Sequence, residues 1–246
     1  METETIKYLL VTEGPTDFIL LKKIASVVSK SVGKNIEFVE LSPQKDETTK
    51  RYPSHGWKEV RKWCRLYGKN IDNLPNEFVK IAARGKNWKT LVKVTNARGI
   101  IIQIDTDIVE YIDELDFKYK GISKVSRKRF CEKAILNWLG EDNLVENLYI
   151  VKSTHCTETF ILATYPRTDT IFNDLPNSFD YEAITDVIAR LINLGFKSYQ
   201  TEEGITKLSK DLNLYKNYSR IIEENFSNIR LESEEVDLLC KELESN

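Results

Sequence analysis

Two acidic clusters stand where apolar runs end. Ile6-Lys7-Tyr8-Leu9-Leu10-Val11-Thr12 passes directly into Glu13-Gly14-Pro15-Thr16-Asp17, and Ile100-Ile101-Ile102-Gln103-Ile104 ends in Asp105-Thr106-Asp107. Carboxylates at the ends of two buried strands can converge on one divalent cation. Hard oxygen donors of this kind suit Mg2+ or Mn2+, and such an ion suits phosphate-ester chemistry. Asp105 and Asp107 are two apart, so on an extended chain end they would point to one side. Glu13 and Asp17 also fit the acids favoured at a helix N-terminus, and for Asp17 alone that plainer role is preferred.

The elements that must position these acids alternate. Residues 6–12 read as an apolar strand of the kind found in a parallel sheet covered on both faces. A helix follows, with Pro15 in its first turn and Thr16-Asp17 as capping residues. Phe18, Leu21, Ile24, Ala25 and Val28 form its apolar stripe, and 36–41 is the second strand. Further helices are expected over 54–67, over 75–97 with a break near Gly85, and over 126–139. Strands are expected over 100–104 and 147–152, a loop or short helix over 108–120, and a helix over 157–165. Periodic segments near 180–194, 204–213, 217–226 and 233–243 make the remainder read as all-helical. The division is 1–165, with an insertion at about 42–99, and a C-terminal extension over 166–246 packed on it. In open α/β sheets ligands bind beyond the carboxyl ends of strands, so Glu13, Asp105 and Asp107 meet if their strands are neighbours.

Charge is unevenly spread behind a net of −2. Residues 42–100 hold 14 Lys or Arg against 5 Asp or Glu, whereas 201–246 hold 6 against 11. Lys118, Lys120, Lys124, Arg127, Lys128, Arg129 and Lys133 form a second basic stretch. Acids that act on a polyanion need such cations nearby, so Arg61, Lys62, Arg65, Lys124, Arg127, Lys128 and Arg129 are candidate phosphate contacts. Solvated helix faces explain the same charges equally well. His155 is a candidate phosphate contact or a structural residue, and His55 precedes a helix whose free N–H groups could hold a phosphate or simply be capped. Trp57, Trp88 and Trp138 read as core, with Trp63 left for base stacking. Cys64, Cys131, Cys156 and Cys240 show no paired spacing, which indicates neither zinc nor disulfides and fits a reducing compartment. No apolar run reaches membrane-span length and the N-terminus is acidic, so a cytoplasmic location without membrane association is expected.

Val11-Thr12-Glu13-Gly14-Pro15-Thr16-Asp17 and Ile101-Ile102-Gln103-Ile104-Asp105-Thr106-Asp107 resemble the two acidic motifs of the Toprim domain, nearest to small stand-alone or OLD-type nucleases. The resemblance covers residues 5–165. It implies a Rossmann-like, mostly parallel four-stranded sheet sandwiched by helices, to which the residues themselves add a helical insertion and a helical C-terminal extension. It implies one or two divalent metals, Mg2+ or Mn2+, held by Asp105 and Asp107. Glu13 would be a catalytic acid/base or a ligand of a second metal, and Asp17 matches the acid that follows the motif glutamate. Glu158 would supply a third catalytic acid. The implied activity is cleavage of DNA or RNA phosphodiester bonds, as in toxic effectors of anti-phage defence. The 92 positions between Glu13 and Asp105 exceed the usual motif spacing, and residues 42–99 are the excess. No Gly-x-x-x-x-Gly-Lys-Ser/Thr motif occurs, so any ATPase or defence partner would be a separate protein. The alternative is a non-catalytic nucleic-acid-binding or interaction module on the same scaffold. A Cys156–His155 hydrolase is a weaker option, since adjacent residues rarely face each other.

Overall fold

The computed structural model describes residues 5–68, 87–112, 123–202, 204 and 206–245. Strand β1 (Thr5–Val11), helix α1 (Pro15–Val32) and strand β2 (Asn35–Ser42) form the first unit. Helices α2 (Trp57–Tyr67) and α3 (Trp88–Val94) lead to β3 (Gly99–Asp105), and α4 (Lys124–Leu139) connects onward to β4 (Leu148–Ser153). The four strands are all parallel, in the order β2-β1-β3-β4, a Rossmann-like arrangement. Successive side chains of a strand point to opposite faces, so these strands feed two cores. Ile6, Tyr8, Leu10 and Ile101 face α1 and the C-terminal region, while Leu9, Val11, Ile100, Ile102 and Ile104 face α2, α3 and α4. The chain steps from β1 to β2 in one direction and on to β3 and β4 in the other. The covered face changes with it, so all three crossovers share one hand, as right-handed connections require. This reversal places a topological switch point between β1 and β3.

Local chemistry explains where elements begin. Gly14 precedes α1 in an extended conformation, Pro15 occupies the first turn, and the Asp17 carboxylate reaches back to the Gly14 N–H at the helix start. Helix α2 starts at Trp57 instead of 54, because Gly56 turns the chain at φ 108. Ser123 and Ser126 form a reciprocal capping box at α4. The expected helical stretch over 75–86 and the segment 113–120 lie outside the described residues.

Residues 166–245 are not all-helical. A hairpin of β5 (Ser198–Gln200) and β6 (Thr206–Leu208) precedes α7 (Leu212–Glu224), so the segment read as a helix over 204–213 begins as a strand. The helix starts only where the Asp211 carboxylate accepts from Asn213 and Leu214 N–H. Short α5 (Glu158–Leu162) and α6 (Val187–Asn193) precede the hairpin, and α8 (Phe226–Glu232) and α9 (Glu234–Glu244) end the chain. α7 and α9 pack on α1, sharing one core with it. Glu235 accepts the Lys152 N–H of edge strand β4 at 2.8 Å, which blunts an open edge. No helix among the described residues is long and apolar enough to cross a membrane.

Candidate functional site

A crevice of about 200 Å3 opens at the switch point, lined by Glu13, Asp17, His55, Asp105 and Lys210. At about 30 Å3 per water it has room for a hydrated ion and a phosphoryl group. Adjacency of β1 and β3 brings the two motifs together across 92 positions: Glu13 Oε1 accepts the Asp105 N–H at 2.7 Å. Gln103, fully buried, stitches the site. Its Oε1 accepts the Glu13 N–H at 3.0 Å, and its Nε2 donates to Asp105 Oδ1 at 2.8 Å and to Thr157 Oγ1 at 3.1 Å. The Thr157 hydroxyl donates to Asp105 Oδ1 at 3.0 Å. From the other side Gly56 N–H donates to the Glu13 carbonyl at 2.6 Å, and the Trp57 N–H, at the start of α2, bonds the Glu13 carboxylate. A helix N-terminus is thereby aimed at the acid.

Asp107 lies in a 3-10 turn (Thr106–Tyr111), not on the extended chain end expected, and unlike Asp105 it does not line the crevice. It is exposed, and Arg127 nearby partly offsets its charge. Asp17 is buried in the first turn of α1, near the Thr157 hydroxyl and the Gly14 N–H. Glu158 opens α5 fully buried, and its Oε1 accepts from both Lys210 Nζ and Tyr215 OH. The C-terminal region thus supplies two groups that the sequence reading missed.

These acids carry more negative charge than the site offsets. Burial first, with Asp17 and Asp107 adding repulsion, pushes the Glu13 carboxyl up to about 8. Burial and Glu158 push Asp17 up to about 6 against the opposing pull of Lys210. Asp105 is raised well above the usual carboxylate range by burial and by Glu13, Asp17, Glu158 and Asp107. Asp107 rises to about 6, chiefly by desolvation. Glu158 alone goes down: burial opposes its charge, but Lys210 and Tyr215 outweigh it. Carboxylate oxygens with uncompensated buried charge fit a hard divalent cation. Among the described residues no three His, Cys, Asp or Glu are gathered as a finished ligand set. Glu13 Oε1 and Asp105 Oδ1 already accept hydrogen bonds from protein donors.

The expected phosphate contacts divide. Lys124 pairs with Asp180 at 2.5 Å and Glu182 at 3.4 Å. Lys128 is buried against Glu182 at 2.7 Å and Glu235 at 3.2 Å. Both are corrected from phosphate clamps to ties between α4 and the acidic C-terminal region. Arg127 donates to the Thr106 carbonyl at 3.0 Å and pairs with Glu110. Arg129 and Arg65 are exposed, Lys62 is exposed beside Glu59 at 3.3 Å, and Arg61 lies over the Trp57 ring at 4.9 Å. Helices α2 and α4 do pack together on one face of the sheet. Trp63 is buried and stacked on Tyr67 at 4.7 Å, so it is core, not a base platform. His155 does not line the crevice; its N–H donates to Thr106 Oγ1 at 3.1 Å, and desolvation with Arg127 nearby lowers its pKa. His55, by contrast, does line it. Burial with Glu158 and Asp105 nearby pushes the Cys156 thiol well up, which leaves a Cys–His hydrolase without its thiolate.

No family model, curated protein or solved structure matches the chain.

Proposed function

We propose that this chain is a divalent-metal-dependent phosphodiesterase acting on nucleic acid, a Toprim-like nuclease. The observation that carries the reading is the meeting of Glu13, Asp17 and Asp105 in one buried crevice at the switch point, with charge that Lys210 only partly offsets. Asp105, Asp107, Asp17 and Glu13 are the residues that would hold Mg2+ or Mn2+. Such an ion, when bound, activates water and stabilises the leaving oxygen. Glu13, whose pKa lies near neutrality, is suited to take a proton from the attacking water. Gln103 and Thr157 fix the Asp105 carboxylate. Lys210 brings a cation to the crevice wall, where it can meet a phosphate oxygen. Glu158, expected as a catalytic acid, is then a positioning residue that holds Lys210.

A second reading is a non-catalytic nucleic-acid-binding or interaction module. It draws on the protein donors already turned onto Glu13 and Asp105, which would let the acids persist as a structural cluster. Incubation with plasmid, single-stranded DNA and tRNA under Mg2+ or Mn2+ separates the two. Metal-dependent cleavage should fall on the order of 100-fold in Asp105→Asn, the cost of losing one preorganised charged group. Equal absence of cleavage in both proteins would favour the module.

A further inference from the structure

Beside the carboxylate crevice a second, open groove of about 490 Å3 runs along α1. Phe18 and Tyr52, both half-buried, and Leu212 give it an apolar lining. Lys22, Lys45 and Lys216, all exposed, bring three cations to it from α1, the loop after β2, and α7. Lys23, also on its wall, is occupied by Glu223 at 2.8 Å, whereas Lys22, Lys45 and Lys216 form no ion pair among the described residues. Lys22 sits 5.5 Å from the Phe18 ring centre. The two cavities are neighbours along the chain: Asp17 and Lys210 line the crevice, while Phe18 and Leu212 line the groove. From Phe18 to Ser26 the groove follows α1 for about 12 Å at ~1.5 Å per residue. Lys23 and Lys30 both pair with Glu223, so the α1 and α7 walls are tied together.

We propose that this groove holds the single-stranded segment flanking the scissile phosphodiester. The proposal rests on the nuclease reading for what lies in the crevice. Three flexible point charges suit a sequence-independent phosphate backbone, and half-exposed aromatic rings suit stacking of bases. Glu40, an acid near this wall, is engaged by the Tyr52 hydroxyl and also attracts Lys22, so Lys45 and Lys216 are the two groove cations for which the described residues show no acid partner. Successive residues of α1 and of the segment before α7 line first the crevice and then this open groove, which fits a strand better than an enclosed nucleotide.

The test is fluorescence anisotropy in EDTA with a labelled single strand of about 12 nucleotides, within the range of roughly 4–16 that such sites cover. Binding is measured across a salt series for the wild type, for K22Q/K45Q/K216Q, and for the equally charged control K34Q/K197Q/K207Q, whose lysines lie outside the groove lining. The slope of log K against log salt should flatten by about 2 in the groove variant, roughly 0.7 for each of three phosphate contacts, and hold in the control. Lys45→Gln and Lys216→Gln singly should each give about one third of that loss, which guards against misfolding of the triple variant. An unchanged slope in the groove variant, or the same loss in the control, would overturn the proposal. Cleavage under Mn2+ is scored separately: groove-dependent binding with no cleavage by the wild type would sink the nuclease reading while supporting the groove as a strand site.

Discussion

At Glu13, Asp17 and Asp105, burial outweighs every stabilising hydrogen bond, and this sets how stability responds to pH. Each acid holds its proton more tightly folded than unfolded, where the ordinary values are 4.5 for Glu and 3.8 for Asp. Between those values and the raised ones the native state binds more protons, so its stability falls as pH rises. For Glu13 the window runs from 4.5 to about 8. In EDTA, calorimetry should show wild-type stability declining relative to Glu13→Gln across that window, by an amount on the order of a few kcal/mol. A difference between the two proteins that does not move with pH contradicts the assignment. Gln103 offers a second check. Gln103→Leu leaves Asp105 and the Glu13 N–H each short of a partner in a buried site, and should cost about 1–3 kcal/mol in urea denaturation.

Among the elements, α2 is one whose start bears directly on the site. Gly56 at φ 108 lets its N–H reach Glu13 while Trp57 begins the helix. A β-carbon there meets open space, so Gly56→Ala costs backbone strain alone, about 1–3 kcal/mol. Gly14 is the contrast: its φ is −153, and an added β-carbon would sit 3.4 Å from Asp17 Oδ2 in ordinary contact. Gly14→Ala should therefore change stability far less, and denaturation of the pair tests the distinction. The sheet was legible because its central strands β1 and β3 are apolar on both faces and its edge strands β2 and β4 carry short apolar runs: all four lie within a residue or two of where those runs place them. The acids ending β1 and β3 were legible for the same reason. Gln103 left a signal that went unused, a polar residue inside an apolar strand. The β5–β6 hairpin was not legible, because three-residue strands carry too little periodicity. Nor were Lys210 and Tyr215, which reach Glu158 through tertiary packing that no local pattern records.

In the whole molecule, the C-terminal region completes both the core and the site. Phe172, Tyr181, Tyr215 and Leu243 are buried in the cluster that also contains Tyr8 and Leu10. A fragment of residues 1–165 should accordingly lose cooperative unfolding, seen as a flat calorimetric trace. Lys210→Met leaves Glu158 buried without its cation. It should cost about 2 kcal/mol, below the range for fully buried pairs because the lysine side chain is 52% exposed. The basic stretch on α4 owes its charge to this same packing: Lys124 and Lys128 answer the acids Asp180, Glu182 and Glu235. A surplus of basic residues in one segment and of acidic residues in another thus reflects contact between them as much as any outside partner.

Everything proposed for the crevice requires that its buried carboxylates bind a divalent cation. Isothermal titration of the wild type and Asp105→Asn with Mn2+ at pH 7, in two buffers of different ionisation enthalpy, reads this without any substrate. The wild type should bind saturably with release of protons from the raised carboxyls, and Asp105→Asn should lose that binding. No saturable binding to the wild type, or binding that Asp105→Asn leaves unchanged, would contradict a metal site at these acids.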